Sequence, residues 1–199
     1  MSIESPETIL VEYVAGAIRP LVDNPNGTRC RLSSDELLLI ATTDPKDRGQ
    51  IIGKHGVIAH ALRTLLRAAC GKHAFHVDLF IPDSDILADP APRPKAPRHE
   101  RVRVDNTEIA KYVQHLVGCV VDHPETLLVT ITTTETVLIV DLLPSHAKQA
   151  AQLVGKAGRI ISALRVIVAA YAAKHGFKCS LVNATDAHVD GAPKKAVAA

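Results

Sequence analysis

Apolar residues recur at helical spacing at Leu10, Val14, Ala17, Ile18 and Leu21, and Pro25-Asn26-Gly27 follows. A 3.6-residue period along one side marks an amphipathic helix, and the Pro-Asn-Gly turn is expected to end it. Two short strands are predicted near 28–32 and 36–42, with Ser33-Ser34-Asp35 as their turn. Asp44 is placed to cap a short helix that opens at Pro45 and stops at Gly53. After Gly56, the residues Ile58, Ala61, Leu62, Leu65, Leu66 and Ala69 make an i, i+3, i+4, i+7 stripe. His60, Arg63 and Arg67 face away from it, and Gly71 is its expected stop. Residues 75–81 alternate apolar and polar, as a half-buried strand does.

The same order returns further on. Ile109, Tyr112, Val113, Leu116, Val117 and Val120 predict a helix, and 127–133 and 136–142 are rich in β-branched residues. Pro144-Ser145 is expected to open a short helix to Val154. Ile160, Ala163, Leu164, Ile167, Val168 and Tyr171 form a second stripe, and 177–182 is the last strand.

This return is a duplication. Gly-Lys-His-Gly at 53–56 and Gly-Lys-Ala-Gly at 155–158 stand 102 positions apart. At the same spacing Leu62-Arg63 matches Leu164-Arg165, and Lys72-His73 matches Lys174-His175. Upstream the spacing is 99, where Tyr13-Val14 matches Tyr112-Val113 and Asp23 matches Asp122. Matches in this order over one long period mark a repeated unit. The boundaries expected are 7–82 and 106–183 for the two units, with a tether at 83–105 and a disordered tail at 184–199. The tether holds Pro90, Pro92, Pro94 and Pro97 beside Arg93, Lys95, Arg98, Arg101 and Arg103, a composition that stiffens an extended chain.

Composition narrows the function. Lys and Arg total 23 against 21 Asp and Glu, so a uniformly basic surface is excluded and any nucleic-acid contact must come from local geometry. Aromatics are 3% with no Trp, which disfavours base-stacking platforms. Cys30, Cys70, Cys119 and Cys179 form no CxxC pair and read as thiols in a reducing compartment. With a polar start and no long apolar run, a cytoplasmic location is expected.

The candidate chemistry lies at the repeated Gly-x-x-Gly. Glycine accepts positive φ and lets another backbone approach closely. The following helix start offers amide donors and the positive end of its dipole, a setting suited to phosphate. Lys54 and Lys156 add charge, and His55 and Arg159 add donors. The stretches Ile51-Ile52-Gly53-Lys54-His55-Gly56-Val57-Ile58 and Leu153-Val154-Gly155-Lys156-Ala157-Gly158-Arg159-Ile160 resemble the GxxG segments of KH domains. More narrowly, each half resembles the small bacterial KhpA family, whose Val-Asp-Asn-Pro-like turn is matched by Val22-Asp23-Asn24-Pro25 and, more loosely, by Val121-Asp122-His123-Pro124. Val57 and Ala157 depart from the more polar choices common in that family.

The resemblance implies an α+β fold of two tandem type II KH domains, each α-β-β-α-α-β with a three-stranded sheet and helices on one face. It also implies single-stranded RNA as ligand, with the GxxG loop on the backbone and an aliphatic groove under the bases. The residues it assigns to RNA are Ile52, Gly53, Lys54, His55, Gly56 and Val57, then Val154, Gly155, Lys156, Ala157, Gly158 and Arg159. Ile58 and Ile160 read first as core, Arg63 and Arg165 as a solvated face, and His73 and His175 as helix C-caps. The implied role is RNA chaperone or post-transcriptional regulator, without cofactor. The competing reading is an interaction module that pairs with a larger KH-containing protein or with itself, its RNA binding weak or lost. Neither Cys70/His73 nor Cys119/His123 is mirrored in the other copy, and no Walker or dinucleotide motif occurs, so no metal site and no enzyme is expected.

Overall fold

The computed structural model describes residues 6–33, 38–72, 77–82, 105–133 and 137–183. Nearly all of the expected tether and the whole expected tail lie outside these residues, as do His73 and Phe75. In the first half, α1 (Pro6–Ile18) leads to β1 (Arg29–Leu32), β2 (Leu38–Thr42), α2 (Arg48–Ile52), α3 (Val57–Lys72) and β3 (Asp78–Phe80). In the second, α4 (Asn106–Gly118) leads to β4 (Leu128–Thr133), β5 (Val137–Leu143), α5 (Ala147–Val154), α6 (Arg159–Lys174) and β6 (Lys178–Asn183). Each half has its own three-stranded sheet, in the orders β1-β2-β3 and β4-β5-β6. The first pair in each sheet is antiparallel and the second parallel. A parallel neighbour requires a crossover, and α2–α3 and α5–α6 supply it.

The expected stripes are the buried faces. Leu62, Leu65, Leu66 and Ala69 of α3 are buried, as are Ala163, Leu164, Ile167, Val168 and Tyr171 of α6. Arg63 and Arg165 are more than a solvated face. Arg63 Nε donates to Leu79 O at 3.1 Å and Arg165 Nε to Leu181 O at 3.2 Å, tying each long helix to its parallel strand. His175 does stand at the C-terminal cap of α6, its ring 4.7 Å from that of Tyr171.

Several expected boundaries are wrong. The helix α2 starts at Arg48 rather than Pro45: 45–47 form a turn closed on the Asp44 carbonyl, while the Asp44 carboxylate accepts from Asn24 Nδ2 at 2.6 Å instead of capping the helix. The helix α5 starts at Ala147, and its cap is His146, whose Nδ1 accepts from the Gln149 amide. Gly71 lies within α3, which runs on to Lys72. α1 ends at Ile18 in a short 3-10 turn, Arg19–Leu21, before the Pro25 turn is reached.

The halves dock on each other through helices. α3 lies along α6, and α1 crosses α4. Tyr13 Oη donates to Leu116 O at 2.8 Å, and Tyr112 Oη to Ala17 O at 2.8 Å. Tyr13 and Tyr112 are equivalent in the repeat, as are Ala17 and Leu116, so this is one bond made twice about an approximate twofold axis. The symmetry is broken beside it. A Cβ on Gly16 would lie 2.3 Å from His115 Nε2, and His115 is the second half's counterpart of Gly16. His115 Nε2 also lies 3.0 Å from Tyr13 O. At the other end of the seam, Lys174 Nζ donates to the Val22 and Pro20 carbonyls.

Candidate functional site

Both Gly-x-x-Gly segments are sharp corners. Gly53 has φ 73° and ψ 173°, His55 has φ 55° and ψ 24°, and Gly56 has φ 75°. In the second half Gly155 has φ 68° and ψ 176°, Ala157 has φ 55° and ψ 32°, and Gly158 has φ 70°. His55 and Ala157 are thus held left-handed, a conformation that costs a side-chain-bearing residue free energy and recurs at functional turns.

The two glycines of each corner serve different ends. A Cβ on Gly53 would lie 2.7 Å from Ile58 Cγ1, and one on Gly155 would lie 2.6 Å from Ile160 Cγ1. Ile58 and Ile160 therefore pack over the first glycine, partly buried against the core, which agrees with reading them as core. At Gly56 nothing stands within 4 Å, so only the positive φ calls for glycine there.

The amides divide in the same way in both corners. Gly53 N donates to Gly49 O and Gly56 N to Gly53 O; Gly155 N donates to Ala151 O and Gly158 N to Gly155 O. Val57 and Arg159 amides bond the carbonyls of Lys54 and Lys156. The sequence places the free donors on the following helix, but the first amide of that helix is taken by the turn. The amides without a partner among the described residues are those of Lys54, His55, Lys156 and Ala157. Each corner thus presents two adjacent N–H groups, and the side chains of these four residues are exposed. Val57 is 46% exposed, Arg159 is exposed, and Ile52 and Val154 are half-buried at the flanks.

A second layer holds each corner in place. Gln50 Nε2 donates to Asp23 Oδ2 at 2.7 Å, and Gln152 Nε2 donates to Asp122 Oδ2 at 2.8 Å. Buried Asp47 accepts from the Asn24 amide at 2.8 Å. Its counterpart Gln149, fully buried, donates to His123 O at 3.1 Å and accepts from the Ser145 amide at 2.8 Å. The Val-Asp-Asn-Pro turn is therefore the anchor for the helix that enters the corner. The sequence carried a signal for this, since Gln50/Gln152 and Asp23/Asp122 recur across the repeat, but the pairs span 27 and 30 positions.

Docking of α3 on α6 brings the corners to one cleft of about 260 Å³. Val57, His60 and Ala61 line it from one side and Ala157, Arg159 and Ser162 from the other. A family model described as KhpA/KhpB, KH domain, matches residues 11–81 and again 110–182. The chain belongs to the KhpA/KhpB KH-domain family. It carries two KH units where curated relatives carry about one. The RNA-binding protein KhpA of Halalkalibacterium halodurans is 40% identical over 76 residues, 37% of this chain and 96% of the relative. That of Treponema pallidum is 45% identical over 65 residues, 32% and 78% of the two chains. That of Clostridium perfringens is 38% identical over 65 residues, 32% and 83%. The KH family is one of binding domains and not of enzymes. No helix among the described residues is long and apolar enough to cross a membrane.

Proposed function

We propose that the chain binds single-stranded RNA with both KH units, each corner taking the sugar-phosphate backbone. The observation that carries this reading is the pair of amides at Lys54-His55 and at Lys156-Ala157, without a partner among the described residues and offered at exposed glycine corners. A phosphate oxygen is an acceptor that two adjacent N–H groups bind well, and a lysine ammonium beside it adds charge. Ile52 and Val57, and Val154 in the other unit, supply aliphatic surface for the bases. The grips differ: the first sets His55 and Val57 where the second sets Ala157 and Arg159, so the second relies more on charge.

Two grips on one body hold two single-stranded segments close together, which raises the local concentration of one for the other. That is the physical requirement for an RNA chaperone acting as an annealer, and we assign the chain that role in the cytoplasm. The basic stretch 83–105 adds contacts that weaken first as salt rises. The second reading, an interaction module for a larger KH protein, draws on the cross-strand pair Leu128 and Leu143, 59% and 41% exposed.

The quadruple variant Lys54→Asp, His55→Asp, Lys156→Asp, Ala157→Asp tests the choice. Asp tolerates the left-handed conformation, so the corners keep their shape. RNA affinity falls at least tenfold with unfolding unchanged if the corners grip RNA. Unchanged affinity returns the function to the interaction reading.

A further inference from the structure

We infer that a groove between α1 and the edge strand β1 is a further contact for the phosphodiester backbone, apart from both glycine corners; this rests on the RNA-binding reading. The groove has a volume of about 750 Å³, and Arg19, Arg29 and Arg31 line it together with Thr28, Thr42 and His115. None of the three guanidinium groups has a hydrogen bond or ion pair among the described residues. Glu12 is the carboxylate in the lining, so the groove keeps a positive excess.

Thr28 is the second, independent observation. It is 4% exposed, and its Oγ1 has no hydrogen-bond partner among the described residues. A buried hydroxyl without a partner destabilises the protein that carries it. The fold does not ask for it, because the equivalent residue of the second half is Leu127, 3% exposed. Arg19, Arg29 and Arg31 correspond in the same way to Gly118, Leu128 and Thr130. The duplication is its own control: one scaffold, built twice, carries in one copy only three arginines around a buried hydroxyl, none of them paired among the described residues.

Phosphate fits this set better than a peptide strand. Guanidinium forks match phosphate oxygens two at a time, and a threonine hydroxyl completes such a site as a donor. Strand addition along β1 is disfavoured by the same arginines, since charge on an edge blunts pairing.

The test is the salt dependence of RNA binding by the full chain, read by anisotropy of a labelled single-stranded RNA. For single strands, each phosphate contact contributes about 0.7 to the slope of log affinity against log salt. Arg29→Ala with Arg31→Ala is expected to flatten the slope by about 0.7 per arginine removed and to weaken binding severalfold at low salt. Arg29→Lys with Arg31→Lys keeps the slope, and Thr28→Val weakens binding while leaving thermal stability unchanged or higher. Both arginines are exposed, so folding survives, and unfolding curves verify it. An unchanged slope in the double-alanine variant overturns the groove, whatever the corners do. Unchanged binding in the quadruple corner variant overturns the corner reading instead, so the two failures are read from different proteins.

Discussion

At the scale of single residues, the first glycine of each corner is fixed by sterics and the second by backbone conformation alone. Gly56→Ala keeps its space and pays only for positive φ, about 1–2 kcal/mol. Gly53→Ala meets Ile58 at 2.7 Å as well and must move that side chain, so its loss exceeds that of Gly56→Ala. The same ranking holds for Gly155 against Gly158, where the nearest atom to a Cβ is 3.9 Å away. Urea unfolding of the four variants measures the order, and equal losses within a pair would contradict it. The cysteines play no part in the corners: burial pushes the Cys30 and Cys179 thiols up to about 11, so at neutral pH both are protonated and poor nucleophiles.

At the scale of elements, the corner stands on the helix that enters it, and that helix stands on a turn 27 to 30 residues earlier in the chain. Gln149 is the most committed of these supports, being fully buried with hydrogen bonds from both ends of its amide. Gln149→Ala leaves the His123 carbonyl and the Ser145 amide without it, a loss of about 1–3 kcal/mol. RNA affinity should fall alongside stability; retained affinity would mean that the corner keeps its shape without the support. The element order was legible because every helix and strand buries one face, and burial writes its period into the sequence. The starts of α2 and α5 were not. Asp44 looks like a local cap, yet its carboxylate accepts from Asn24, 20 residues earlier, and local spacing carries no trace of such a partner; Pro144-Ser145 looks like a helix start, yet the cap is His146, a residue less usual in that role. The arginines of the α1–β1 groove were hidden for the same reason, although reading one copy against the other would have singled them out. The corners themselves were legible as Gly-x-x-Gly, whereas which amides stay free depends on turn bonds that no composition reveals.

At the scale of the molecule, two KH units become one body through a seam of helices with tyrosines at its centre. Burial raises the Tyr13 and Tyr112 hydroxyls above the ordinary value of 10.0, and Tyr112 is raised further by its neighbour Tyr13. Both donate across the seam and so must stay protonated. With folded values above the unfolded one, their stabilisation is intact below about pH 10 and is lost as pH rises toward the folded values. Thermal unfolding between neutral pH and pH 11 should therefore show a fall that begins near pH 10. Tyr13→Phe with Tyr112→Phe lowers stability at neutral pH by about 1 kcal/mol for each bond and removes much of that alkaline fall. An equally steep fall in the double variant would assign it to other groups.

Where α1 crosses α4, the imidazole of His115 fills the space left by the absent side chain of Gly16. Two first halves set face to face would leave a hollow at that crossing, and two second halves would drive ring against ring. Unlike halves fill that crossing, and a single chain supplies both. The duplicated unit is thereby a matched left and right hand rather than two equal copies.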